Sequence, residues 1–298
     1  MRALKLLLLS FLFLSFTGDS ARRFCLCKIL PANNIDVPVE ANTGITEVEF
    51  NAVIDEFLKV NKPLAKAKGY DLVIKNQWTD GTVNASTIVQ GNKWVINAYG
   101  GLARYENMNA DTYMLVLCHE LGHHLGGFPA QGWASNEGES DYYAASKCFP
   151  RMSYSRAKSF FTPDVVSKKC SLMHKSQTEI NICEKTSMTA LNLANILNNM
   201  SRDLFPLDCV EMHQFSTYCN SLLMGDISFN TPDKRQVTVT DDRHPNAQCR
   251  LDTYFAGAVC GVPYTEDLSQ DNPIQGACAE EKGDKVGVRP RCWYKPNL

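Results

Sequence analysis

The sequence predicts an α+β fold in which a small mixed sheet packs against helices and a disulfide-stapled C-terminal portion follows. Between positions 46 and 260, apolar residues recur first at helical spacing and then at strand spacing. A predicted helix inside this region carries the pattern His119-Glu120-x-x-His123. Eight of the twelve cysteines lie in the last 130 residues. The length of 298 residues and the 44% hydrophobic content suit one large domain, or one domain with an appendage.

Residues 1–20 are typical of a signal peptide. A positively charged start precedes an apolar run over residues 6–16, and small or polar residues follow that run. The run is too short to span a bilayer comfortably. An uncleaved anchor is the alternative interpretation. We expect cleavage after residue 20 or 21, and a mature protein that is secreted or periplasmic.

All twelve cysteines follow the predicted signal peptide, and an even number in an exported chain predicts disulfide bonds. The sequence leaves their connectivity open. A cysteine metal cluster is the rival interpretation, but the sequence has no paired C-x-x-C motifs of the kind typical for such clusters. Cys118 is predicted to be either a buried thiol or the disulfide partner of Cys148.

The formal net charge of −2 gives no general electrostatic argument for binding nucleic acid or an anionic membrane. No stretch after the predicted signal peptide is apolar enough to cross a bilayer, so we expect no stable membrane insertion after cleavage. The sequence does not indicate the oligomeric state.

Residues 21–45 are expected to form an extended lead-in, because their two prolines disfavour a helix. The first helix should begin near Thr46, where Thr46-x-x-Glu49 is a capping-box pattern, and stop near Gly69. Its apolar face is ordinary core.

Two clear strands are predicted next, over residues 70–75 and 93–99, and the turn-rich sequence between them allows a short strand at 87–89. The tripeptide Asn84-Ala85-Ser86 is an N-glycosylation pattern, which matters only in a eukaryotic secretory route.

The helix that carries the histidine pattern has a readable start and stop. Asn109 or Asp111 can cap its N-terminus, and Gly126-Gly127 can end it. His119 and His123 are four residues apart and therefore share one helical face, where they can hold a single metal ion.

Two neighbours of this histidine pair receive different interpretations. Glu120 projects beside the pair and can act as the general base for a water molecule that the metal activates. His124 points about 100° away from the pair and is therefore predicted to be structural.

A catalytic zinc site requires a third protein ligand and one open position. One class of enzymes takes a third histidine six residues beyond the second, but Pro129 occupies that position. Glu137 and Glu139 are the candidates for a glutamate ligand, and they cannot share a helical face. Asp141 lies on the face of Glu137 and could orient His119. We therefore expect Glu137 to bind the metal and Glu139 to be a solvated side chain.

The rest of the chain is predicted to be mainly helical until a cysteine-rich end. A strand is expected over residues 236–240, and Pro245 suits the first turn of a helix that runs to about residue 260. Residues 261–298 are rich in glycine, proline and cysteine and should form an irregular tail. The remaining helices are predicted over residues 136–145, 176–183, 188–200 and 210–223.

Together with the later segment His244-Pro245-x-x-x-x-Arg250, the motifs described above resemble those of the gluzincin metallopeptidases. The short spacing is similar to that of the minigluzincins, which include the CAAX prenyl proteases, heat-shock protease X and periplasmic quality-control proteases. The resemblance spans roughly residues 46–260. The membrane helices of the prenyl proteases are absent, and the cysteine-rich C-terminal portion is not part of the family pattern.

The resemblance implies a zincin-like fold and one Zn²⁺ per chain, held by His119, His123 and Glu137. It implies that His244 steadies the oxyanion that develops on the reacting carbonyl, and that Arg250 braces the site. In the family, the strand before the motif helix receives substrate by edge pairing. That strand corresponds here to Trp94, Val95, Ile96, Asn97, Ala98 and Tyr99.

The expected function is that of an exported zinc-dependent metalloendopeptidase with an extended peptide or unfolded protein as its substrate. One alternative is a non-catalytic, exported peptide-binding protein whose zinc is structural. The other is a zinc amidase that acts on cell-wall peptide. The same metal chemistry would serve both enzymes, and the sequence does not separate them.

Overall fold

A computed structural model describes residues 27–153, 162–204 and 226–296. It has a mixed α+β architecture with a small mixed sheet, as the sequence predicts. Four strands form the main sheet and two short strands form a separate hairpin. The strands are β1 (Cys27–Lys28), β2 (Asp71–Gln77), β3 (Ala85–Gln90), β4 (Lys93–Tyr99), β5 (Ala130–Gln131) and β6 (Ala134–Ser135).

Helices pack against the main sheet and against one another. A π-helical turn over Ala144–Cys148 connects the fourth helix to the fifth, and short 3₁₀ turns occur at Val39–Ala41 and Glu280–Lys282. The α-helices are α1 (Glu47–Ala67), α2 (Gly100–Arg104), α3 (Ala110–Leu125), α4 (Glu137–Tyr143), α5 (Phe149–Ser153), α6 (Asp164–Met173), α7 (Gln177–Leu204) and α8 (Ala247–Val259).

The first helix forms as predicted. The Thr46 hydroxyl accepts a hydrogen bond from the backbone N–H of Glu49, and the Glu49 carboxylate accepts one from the backbone N–H of Thr46. These two bonds satisfy N–H groups that the start of a helix would otherwise leave without partners. The chain turns away at Gly69, whose φ of 87° suits glycine.

The main sheet has the strand order β1-β3-β4-β2. β4 pairs with β3 in antiparallel fashion and with β2 in parallel fashion over its whole length, so it is an interior strand. The predicted strands over residues 70–75 and 93–99 are confirmed as β2 and β4. The short strand expected over residues 87–89 is present as β3 and is longer than those three residues. Its neighbour β1 forms one edge of the sheet.

The lead-in continues along the same edge beyond β1. It runs antiparallel to residues 81–87, with Lys28 opposite Ser86 and an isolated bridge between Asp36 and Thr82. The backbone N–H of Val37 donates to the carbonyl of Gly81. The chain from residue 27 to 37 thus covers the edge that β3 would otherwise expose.

Beyond α5 the structure differs from several predictions. The two helices expected over 176–183 and 188–200 are one continuous helix, α7, and α6 was not predicted. Residues 236–240 are not a strand, since their backbone bonds to the C-terminal residues are isolated, such as Val237 N–H to the carbonyl of Arg291. Pro245 precedes the helix cap Asn246 instead of occupying the first turn. The expected helix over 210–223 lies outside the described residues.

Four disulfides join described cysteines. Cys118–Cys148 links α3 to the end of the π-helical turn, which confirms the disulfide interpretation of Cys118. The other three are Cys170–Cys183, Cys249–Cys292 and Cys260–Cys278. Such bonds are expected in an oxidising compartment. Within the described ranges, no helix combines the length and the apolar content that crossing a membrane requires.

The core lies between the sheet and the helices α1 and α3. Phe50 of α1 packs against Tyr113 of α3, with ring centroids 5.2 Å apart, and both side chains are fully buried. Ile96 of β4 and Leu117 of α3 belong to the same cluster. This packing fixes α3 against the sheet.

The cap of α3 gives a test of how this helix is stabilised. The Asn109 side chain accepts a hydrogen bond of 2.9 Å from the backbone N–H of Thr112. Asn109→Ala should lower the free energy of unfolding by about 1 kcal/mol, because that N–H loses its partner. Asn109→Asp is the matched control, since a carboxylate can also accept this bond. Urea unfolding measures both variants, and equal losses would contradict this role for the cap.

Candidate metal centre

The centre begins with three side chains on two helices. His119 and His123 project from one face of α3, and Glu137 is the first residue of α4. One Glu137 oxygen lies 3.3 Å from Nε2 of His119, and the other lies 3.7 Å from Nε2 of His123. All three residues are buried, and their ligand atoms lie within 4.8 Å of one another. This buried group could hold a metal ion.

The opposite nitrogen of each histidine ring is already engaged. Nδ1 of His119 lies 2.6 Å from the Asp141 carboxylate, and Nδ1 of His123 lies 2.8 Å from the carbonyl oxygen of Ser135. Both Nε2 atoms and one oxygen of Glu137 are buried, and the described residues give them no hydrogen-bond partner. Buried polar atoms without partners are costly, and a shared cation would satisfy all three. The donor set therefore fits a metal ion.

Asp141 is held in turn by Arg250 of α8. The guanidinium Nε and Nη2 donate to the two carboxylate oxygens over 2.8 and 2.7 Å. Burial would raise the pKa of Asp141, but Arg250 and His119 lower it, so this carboxylate stays ionised. A fixed anion at this position keeps the proton on Nδ1 of His119 and leaves Nε2 available.

A glycine permits α4 to approach α3 closely enough for these contacts. A Cβ atom at Gly122 would lie only 2.7 Å from the backbone oxygen of Ser140. No larger residue fits there without moving one of the helices. Gly122 lies between the two histidines in the sequence, so this close approach lies next to the metal-binding face.

Glu120 lies next to the histidine pair and is fully buried. Neither carboxylate oxygen has a hydrogen-bond partner among the described residues. Burial raises the pKa of Glu120 to about 8, and His119 opposes this shift. A carboxyl group poised near neutral pH can both take and give a proton.

The structure also brings His244 and Arg250 to the centre from far along the sequence. Nε2 of His244 lies 3.4 Å from a Glu137 oxygen and 2.7 Å from the carbonyl oxygen of Lys28. Arg250 contacts Asp141, as described above, and also donates to the carbonyl of Ile29 over 2.7 Å.

Glu139 differs from its expected role. It is fully buried instead of solvated, and Arg289 donates to its two oxygens over 2.5 and 2.8 Å. The two partners are 150 residues apart in the sequence, so no local pattern could predict this pair. Glu139 faces away from Glu137, as the helical spacing predicts, but it faces the C-terminal portion and not solvent.

His124 has the structural role that its position on the helix predicts. Its ring stacks between those of Trp94 and Trp133, with centroids 4.7 and 4.9 Å away. Its Nε2 also lies 2.7 Å from the hydroxyl of Thr87. The residue is buried and joins α3 to the sheet.

The expectation that substrate pairs with the strand Trp94 to Tyr99 is wrong. This strand is β4, and its backbone is paired with β2 on one side and with β3 on the other. It therefore has no edge to offer to a peptide. By contrast, β3 pairs with β4 on one side and only with the lead-in on the other.

The chain matches no known family's sequence model, no curated protein and no solved structure.

The choice between Glu137 and Glu139 can be tested by substitution. Glu137→Ala should lower zinc affinity by more than about 100-fold, because losing even a hydrogen-bond partner of a ligand costs up to that much. Glu139→Gln should bind zinc as the wild type does. Calorimetric zinc titration measures both, and loss of zinc only in Glu139→Gln would reverse the assignment.

Glu139→Gln also has a stability consequence that separates it from Glu137→Ala. It leaves the buried guanidinium of Arg289 without its anion, which should cost roughly 3–5 kcal/mol of unfolding free energy. The double variant Glu139→Leu/Arg289→Met removes both charges and should recover most of the loss. A double variant as unstable as the single one would contradict this account of the pair.

The raised pKa of Glu120 predicts a pH dependence in the metal-free protein. The folded state keeps a proton up to about pH 8 that the unfolded chain releases near 4.5. Stability from this group is thus present at low pH and lost as the pH rises towards 8. Relative to Glu120→Gln, the wild type should lose roughly 1 kcal/mol per pH unit across this window. Urea unfolding with chelator present measures it, and parallel profiles would refute it.

Proposed function

We propose that this protein is an exported, zinc-dependent metalloendopeptidase. The observation that carries the proposal is the buried trio His119, His123 and Glu137, beside which the Glu120 carboxylate has no hydrogen-bond partner among the described residues. Two imidazoles and one carboxylate are a ligand set typical of catalytic zinc with one open position. The four disulfides between described cysteines support export, because they suit an oxidising compartment.

When bound, zinc would polarise the scissile carbonyl and acidify a water molecule. Glu120 would accept a proton from that water and pass it to the nitrogen of the leaving amine. The burial of Glu120 keeps bulk water away from the proton while it moves.

His244 would donate a hydrogen bond to the oxygen of the reacting carbonyl. Its Nε2 already lies 2.7 Å from a backbone carbonyl, that of Lys28, and only 3.4 Å from the ligand Glu137. A donor at this distance would stabilise the negative charge that develops on the oxygen. Arg250 and Asp141 would act indirectly: Arg250 donates to Asp141, and Asp141 holds the ring of His119 in place.

A structural zinc site in a peptide-binding protein is the second candidate, favoured by the burial of the whole centre. Such a site would need a fourth protein ligand, and His244, 3.4 Å from a Glu137 oxygen, is one side chain that could serve. Its Nε2 is engaged with the Lys28 carbonyl instead. A closed structural site also has no use for a buried, partnerless Glu120, so the enzyme is the better account.

Hydrolysis of an unfolded protein tests the proposal. Zinc-loaded protein should cleave unfolded casein, and a chelator should abolish cleavage. Glu120→Gln should keep zinc but cleave about 100- to 10,000-fold more slowly, the range for losing a general base. Glu106→Gln, an exposed glutamate elsewhere, is the matched control and should behave as the wild type. Equal rates for Glu120→Gln and wild type would refute the mechanism.

A further inference from the structure

The metal centre is covered by a segment of its own chain. Cys27–Lys28 forms strand β1, which pairs antiparallel with β3 so that Cys27 lies opposite Thr87. The next residue, Ile29, donates its backbone N–H to the carbonyl of Ala85 over 3.2 Å. Beneath this segment, His119 and Glu120 have no exposed surface.

Side chains around the centre hold the backbone of this segment at three successive residues. His244 contacts the carbonyl of Lys28, and Arg250 donates to the carbonyl of Ile29, each over 2.7 Å. The Asn84 amide accepts from the N–H of Leu30 and donates to its carbonyl, both over 3.3 Å. On the side of the segment, these contacts involve only backbone atoms, so any extended peptide could make them.

We propose that residues 27–30 occupy the peptide-binding position of the metal centre, and that a substrate pairs with β3 after displacing them. The inference rests on the proposed function and deepens it. It assigns the receiving edge to Ala85–Thr87 of β3, with Asn84 as a clamp for the substrate backbone.

The orientation of the segment matches that of a peptide ready for hydrolysis. The Lys28 carbonyl faces His244, the group assigned to the oxyanion. The following amide is that of Ile29, and its N–H bonds to the carbonyl of Ala85 on β3. In a substrate placed in the same way, the equivalent nitrogen is the leaving amine, which would receive its proton from Glu120.

This orientation also predicts a preference in the substrate. The side chain of Ile29 has no exposed surface and packs in the main core cluster. A substrate that takes its place should therefore carry an apolar residue directly after the reacting carbonyl, because a charged one would be buried without a partner.

The segment cannot diffuse away when it is displaced. Cys27 is disulfide-bonded, and the chain continues along the sheet on the other side of the segment. A tethered occupant has an effective concentration in the millimolar range or above. Weakly bound peptides should therefore rarely outcompete it, and weakening the segment should open the centre.

Ile29→Pro tests the proposal in the full-length protein. Proline lacks the N–H that bonds to Ala85 and fits poorly beside a paired strand. Zinc loss to an excess of chelator should become about tenfold faster, and kcat/KM for a fluorogenic peptide with a central Lys-Ile bond about tenfold higher, which is 1.4 kcal/mol in each case. Ala32→Pro is the matched control, because residue 32 is exposed and lies outside residues 27–30, and both values should stay unchanged.

The two readouts separate this inference from the proposed function. Faster zinc loss in Ile29→Pro, without hydrolysis by any variant, would support the proposal that residues 27–30 occupy the site and would refute the peptidase function. If Ile29→Pro loses zinc at the wild-type rate, residues 27–30 do not cover the centre as proposed, whether or not the protein cleaves peptides.

A measurement on the wild type tests the same proposal even if Ile29→Pro does not fold. Hydrogen exchange of residues 27–30 in the zinc-loaded protein should be slow, and a saturating peptide hydroxamate should accelerate it at least tenfold while the amides of β4 stay protected. Unchanged exchange of residues 27–30 with the hydroxamate bound would overturn the proposal.

Discussion

The buried ion pair between Arg250 and Asp141 is the interaction on which the rest of this centre depends. One guanidinium joins α8 to α4 through Asp141, reaches the lead-in through the carbonyl of Ile29, and contacts the hydroxyl of Tyr254. Asp141 in turn fixes the ring of His119, whose Nδ1 lies 2.6 Å from the carboxylate. Breaking a buried pair leaves a charge without compensation, which costs several kcal/mol, so these segments must assemble together. The metal-binding geometry is therefore a product of tertiary packing as much as of the histidine motif.

Local spacing explains how much of this could be predicted from the sequence. The helical period places His119 and His123 on one face, and it separates Glu137 from Glu139. The capping residue Asn109 marks the start of the motif helix as well. Each of these features depends on residues within a few positions of one another, where helical geometry dictates the outcome.

The features that could not be predicted arise from contacts between distant residues. The pair of Glu139 with Arg289 and the pairing of the lead-in with β3 each join segments tens of residues apart or more. Strand order cannot be seen in the sequence either, and for this reason the prediction that β4 receives substrate is wrong. The C-terminal portion likewise proves to support α4, because Trp293 packs so closely on Gly138 that no Cβ atom would fit between them.

The position of Asn84 has a consequence for how the protein can be produced. Asn84 begins an Asn-x-Ser pattern, yet the residue is only 4% exposed, and its amide bonds to both the N–H and the carbonyl of Leu30. An oligosaccharide on this nitrogen would remove one donor and add bulk at the sheet edge. A host that glycosylates the chain before it folds would therefore deliver a protein whose first strand cannot dock. A bacterial host avoids that competition between sugar transfer and folding.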